Sequence, residues 1–89
     1  MIETRKLVVS GLVQGVWFRK FVQDVAIHHG INGWVRNAED GTVEVLAQGS
    51  PENLEKLELE LWRGTLRSDV RSVRWEPSQE PVCERFSVR

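Results

Sequence analysis

Apolar positions along the chain change their spacing several times, and each change marks an element. Lys6 to Val13 (KLVVSGLV) is β-branched and apolar, as a buried strand is. Phe18, Phe21, Val22, Val25, Ala26 and His29 then recur at helical spacing and share one apolar face, and Gly30 supplies the stop signal just past the helix end. Ile31 to Asn37 (INGWVRN) and Thr42 to Gln48 (TVEVLAQ) alternate like strands, and AEDG between them reads as a hairpin loop with Gly41 at positive φ. Ser50 and Pro51 open a second helix as N-cap and first helical residue, with Glu52 favourable to the dipole. Leu54, Leu57 and Leu61 form its stripe, Gly64 ends it, and Leu59 falls on the opposite, exposed face. Val70 to Trp75 predicts a weaker strand, because Val70 and Val73 are out of phase for strict alternation; Arg85 to Val88 predicts a short last one.

The predicted order is β-α-β-β-α-β plus a terminal strand. That is the α+β, ferredoxin-like plan. With 89 residues the chain is expected to form one domain, spanning 1–89, with a thin core of one helix layer on one sheet. The plan hosts enzymes, RNA binders and regulatory domains, so it does not decide function.

Charge narrows the classes. A formal net charge of -1 lacks the Lys and Arg surplus that phosphate-backbone binding needs, so no nucleic-acid partner is expected. The single cysteine, Cys83, makes no intramolecular disulfide, which fits a reducing cytoplasm. No leader-like segment or membrane-length apolar run is present, so no membrane partner is expected either.

The candidate chemistry begins at VQGVWFR, Val13 to Arg19, where the first strand becomes the first helix. A tight turn at Gly15 can expose successive backbone N–H groups, and with a helix N-terminus behind it such a turn cradles an anion. Arg19, in the first helical turn, can aim its planar donor fork into that cradle. The competing reading is a plain strand-to-helix turn with a snorkelling surface arginine. Strand parity puts Asn37 on the side of Ile31, Gly33 and Val35, at the strand's end. A neutral amide there can orient a water without repelling an anion; otherwise it is a turn asparagine opening AEDG.

Other reactive types stand elsewhere. His28 and His29 are about 15 Å from Arg19 along the helix, Cys83 has no arginine at phosphatase-loop spacing, and nothing has metal-ligand spacing. An oxyanion clamp and a water-holding amide, without acid, base, nucleophile or metal, cannot expel an alkoxide. They can release a carboxylate of pKa about 4, a stable leaving group, since positioning and charge neutralisation then suffice. An activated phosphoanhydride is the substrate this set selects.

Three stretches carry a family resemblance: GLVQGVWFR (Gly11 to Arg19), Ala26, and GINGWVRNAEDGTVE (Gly30 to Glu44). They closely resemble the acylphosphatases, strongly over the first half of the chain and by pattern over the rest. The resemblance implies hydrolysis of acyl phosphates to a carboxylate and inorganic phosphate, with no cofactor and no metal. It assigns phosphate binding to Arg19 and to the backbone N–H groups of the loop Gln14, Gly15, Val16, Trp17 and Phe18. It assigns to Asn37 the positioning of the attacking water. It further implies a five-stranded antiparallel sheet with two helices on one face, in a cytoplasmic monomer inhibited competitively by its product phosphate. GTLRSDV (Gly64 to Val70) departs from the Gly-Pro and Ala-x-Val of such proteins, at the approach to the fourth strand. Two further readings stand beside the enzyme. One is a non-catalytic accessory module that binds phosphate or carbamoyl phosphate. The other is an RNA binder using Trp34 and Arg36 on the open sheet face.

Overall fold

The computed structural model describes residues 1–89. In chain order it contains β1 (Glu3–Leu12), α1 (Phe18–His28), β2 (Asn32–Asn37), β3 (Val43–Gly49), α2 (Pro51–Arg63), β4 (Asp69–Pro77) and β5 (Phe86–Val88). The strands form one sheet in the order β4-β1-β3-β2-β5. This is the expected ferredoxin-like arrangement, two helices over a five-stranded sheet. The expected all-antiparallel sheet is corrected at one edge: β4–β1, β1–β3 and β3–β2 are antiparallel, but β5 runs parallel to β2, so the sheet is mixed.

That last pairing follows from where the chain has to cross. β4 ends with Pro77 opposite Arg5, at the end of the sheet where β2 begins. The segment after it passes to the far edge and starts β5 beside Gly33, so the new strand can only run with β2. Gln48 and Asn32 pin the crossing. Gln48 Nε2 donates to the Pro81 carbonyl at 2.8 Å, the Cys83 N–H donates to Gln48 Oε1 at 2.7 Å, and Asn32 Nδ2 donates to the Cys83 carbonyl at 3.1 Å. Cys83 therefore belongs to a structural strap. Beside it, Trp34 is only 5% exposed and carries the guanidinium groups of Arg89 and Arg36 over its ring, at 4.6 and 5.4 Å from the centroid. A ring so covered offers no platform for a nucleic-acid base.

The core lies between sheet and helices. Leu7, Val9, Val35, Val43, Val45 and Ala47 face Phe18, Val22, Val25 and Ala26 of α1 and Leu54, Leu57 and Leu61 of α2. Burying each large aliphatic side chain contributes about 1.5–3 kcal/mol, which is what holds two short helices that would not persist alone. Their caps differ. α2 has the expected one, Ser50 Oγ accepting from the Asn53 N–H at 3.2 Å ahead of Pro51. α1 has no side-chain cap at all. Leu59 is exposed, as its position opposite the stripe predicts.

The out-of-phase valines are explained by a bulge. The register between β1 and β4 shifts at Ser10/Gly11, so Ser72 pairs with Ser10 but Val70 pairs with Gly11, leaving Arg71 as the extra residue. Both Val70 and Val73 thereby turn to the core side. Gly11 makes the bulge possible: it sits at φ 119°, and a Cβ there would fall 2.0 Å from the Asp69 carbonyl oxygen. Before β4 the chain makes a turn closed by Ser68 and Thr65. No helix is long and apolar enough to cross a membrane.

Candidate active site

The strand pairing brings the C-terminal ends of β1, β2 and β5 to one end of the sheet, where α1 begins. The connection from β1 to α1 is short and contains two left-handed residues, Gly15 at φ 72° and Trp17 at φ 62°. Trp17 is the N-cap; it makes no side-chain cap bond, and the first turn of the helix holds no acidic residue. The first bond of the helix is Phe21 N–H to the Trp17 carbonyl, at 3.1 Å. The N–H groups of Gly15 to Lys20 thus have no backbone acceptor, and the positive end of the helix dipole is open to an anion.

Two tethers hold the loop. Gln14 Nε2 donates to the carbonyls of Ala38 and Thr42, at 2.8 and 2.9 Å, and so ties the loop to the β2–β3 hairpin. Thr65 Oγ1 donates to the Val16 carbonyl at 3.1 Å from the opposite side. An anion cradle gains from such rigidity, because its donors need no rearrangement when charge develops.

Val13, Gly15, Trp17, Phe18, Arg19, Lys20, Asn37 and Val88 enclose an open pocket of about 420 Å³. Arg19 and Asn37, distant in sequence, therefore share one cavity. Asn37 faces the core side through its pairing with Val43, as strand parity predicts, and lies at the exposed end of β2. Its amide plays no part in closing the hairpin. The Ala38 N–H donates to the Thr42 carbonyl and the Gly41 N–H to the Ala38 carbonyl. Asp40 Oδ1 accepts from the Thr42 hydroxyl at 2.6 Å and the Thr42 N–H at 3.0 Å. Those bonds, the hydroxyl first, hold the Asp40 carboxyl below the usual carboxylate range.

Arg19 is half-buried, and its Nη1 donates to the Arg89 carbonyl at 2.6 Å. One donor is thus spent on orienting the guanidinium, and the others remain for a ligand. The arginine is held, which a snorkelling surface residue would not be. Of the expected phosphate loop, Gly15, Trp17 and Phe18 line the pocket directly. Gln14 and Val16 do not; they serve the two tethers. Lys20 and Val88 line it without having been singled out from sequence. Lys20 follows Arg19 immediately, a signal that was readable, whereas Val88 arrives through the strand crossing. No three His, Cys, Asp or Glu side chains converge to hold a metal ion.

An uncapped helix start, a positive-φ loop and a tethered arginine thus meet at one pocket. The acylphosphatase family model matches residues 5–88. The chain belongs to the acylphosphatase family. An acylphosphatase of Nitrosococcus oceani is 42% identical over 89 residues, the whole of both chains. The solved acylphosphatase of Coxiella burnetii superposes with a TM-score of 0.94 at 35% identity, covering 99% of this chain and 93% of that one. That of Bacillus subtilis gives 0.93 at 36%, covering 100% and 99%. Over nearly the whole of each chain, this chain and both solved acylphosphatases share one fold.

Proposed function

We propose that the pocket at the start of α1 hydrolyses the carboxyl–phosphate bond of acyl phosphates, with Arg19 and the Gln14–Phe18 loop binding the phosphoryl group and Asn37 holding the water. The unpaired N–H groups from Gly15 onward and the free donors of Arg19 neutralise the phosphoryl oxygens. Asn37, on the same cavity, accepts from or donates to a water beside the phosphorus without adding a repelling charge.

The water oxygen forms its bond to phosphorus as the bond from phosphorus to the acyl oxygen breaks. The electron pair leaves with the carboxylate, and the water's proton passes to phosphate or solvent. A carboxylate of pKa about 4 departs without protonation, so no general acid is required. Inorganic phosphate fits the same cradle and acts as a competitive inhibitor. The enzyme works as a cytoplasmic monomer, 1–89 forming its one domain, without metal or cofactor.

The single observation behind this reading is that Arg19 and Asn37 line one cavity at an uncapped helix start. Hydrolysis of benzoyl phosphate, followed by loss of its ultraviolet absorbance, tests it. Turnover at a rate typical of enzymes, roughly 1–10³ per second, is the expected result. Phosphate binding without turnover would instead make the chain an accessory module.

A further inference from the structure

Trp17 stands where a tryptophan contributes least to folding. It is 82% exposed, so its ring is barely removed from water. It is also the one non-glycine residue at positive φ, with φ 62° and ψ 20°. Glycine or asparagine adopts that conformation with less strain, and a bulky side chain in it is rare. Strain retained in a site-forming segment points to a use outside folding.

The lining of the pocket indicates the use. Of its apolar residues, Val13 and Phe18 are each 1% exposed and belong to the core. Trp17 and Val88, the latter 41% exposed, are the apolar surface a ligand can touch. The charged lining is cationic, and Lys20 is already engaged with Asp24 at 2.9 Å in an i,i+4 pair. With the phosphoryl group in the cradle, the rest of the substrate projects into an open mouth that offers an indole and an isopropyl group. That surface suits an uncharged, planar, apolar acyl group, which gains burial and stacking against the ring.

We infer that Trp17 is the acyl-group platform of this site and makes the enzyme selective for aromatic over short aliphatic acyl phosphates. The inference rests on the proposed hydrolysis and adds a substrate class to it.

The test is the ratio of kcat/KM for benzoyl phosphate to that for acetyl phosphate, in the wild type and in Trp17→Phe, Trp17→Leu and Trp17→Gly. Both substrates use the same phosphate cradle, so any general damage to the loop divides out of the ratio. The ratio is expected to fall on the order of tenfold in Trp17→Gly, which also relieves the left-handed strain. Trp17→Leu, apolar but without a ring, should lie between, and Trp17→Phe should restore most of the preference. An unchanged ratio across the series overturns the inference while leaving the hydrolase intact. Absence of turnover of either substrate by the wild type overturns the proposed function and this inference with it.

Discussion

Replacing Asn37 with alanine separates chemistry from folding. The hairpin that follows Asn37 is closed by the Ala38–Thr42 and Gly41–Ala38 backbone bonds and by Asp40 Oδ1, none of which involves the Asn37 amide. The side chain is exposed, and the backbone pairing with Val43 survives truncation. Loss of stability should therefore stay within about 0.5 kcal/mol, the usual range for a surface position without special partners. At about 4–8 °C per kcal/mol for a domain of this size, the melting temperature should drop by no more than about 4 °C. The catalytic loss should be far larger. An uncharged group that orients the reacting water is comparable to one oxyanion-hole donor, whose removal costs about 10²–10³ in kcat, or about 2.7–4 kcal/mol. Benzoyl phosphate turnover and the inhibition constant of inorganic phosphate, measured on the same preparation, read the two effects apart. The expected outcome for Asn37→Ala is a kcat reduced about 10²–10³-fold with phosphate affinity within roughly threefold of wild type. Asn37→Asp should be similarly poor, since a carboxylate beside the phosphoryl oxygens repels them. An Asn37→Ala protein that folds normally and keeps its kcat refutes the role and makes Asn37 only a strand-end residue.

Arg19→Gln should lower kcat/KM by at least about 10³-fold, because it removes both the charge and the fork that Arg89 orients. In contrast to Asn37→Ala, it should also abolish inhibition by inorganic phosphate; near-normal kcat/KM would disprove the assignment. Activity should survive exhaustive chelation and dialysis, given that no three potential ligands converge. Inactivation by chelator with recovery on adding Mg²⁺ would contradict the proposed chemistry.

The parts of the site that were legible in the sequence are those fixed by local rules. Gly15 announces a turn of positive φ, Arg19 follows in the first helical turn, and Asn37 takes its side from the alternation of β2. The helix faces and the cap at Ser50 were legible for the same reason, since periodicity and capping act over a few residues. Long-range geometry was not. The phase of Val70 and Val73 made sense only once the bulge opposite Gly11 supplied an extra residue. The direction of β5 depended on which edge the crossing segment reaches, and nothing local to Phe86–Val88 carries that. Gln14 reads as one more loop residue, yet its side chain is the tether between the loop at Gly15 and the hairpin that follows Asn37. The carbonyl of Arg89 that steadies Arg19 comes from a residue 70 positions away, and any residue type could have supplied it.

Attack by water at phosphorus is the central claim, and isotope labelling tests it directly. Benzoyl phosphate hydrolysed by the enzyme in ¹⁸O-enriched water should yield phosphate carrying one labelled oxygen and benzoate carrying none, as resolved by mass spectrometry. Label in the benzoate instead would mean attack at the acyl carbon, and neither the phosphoryl cradle nor the placing of Asn37 would then account for the reaction.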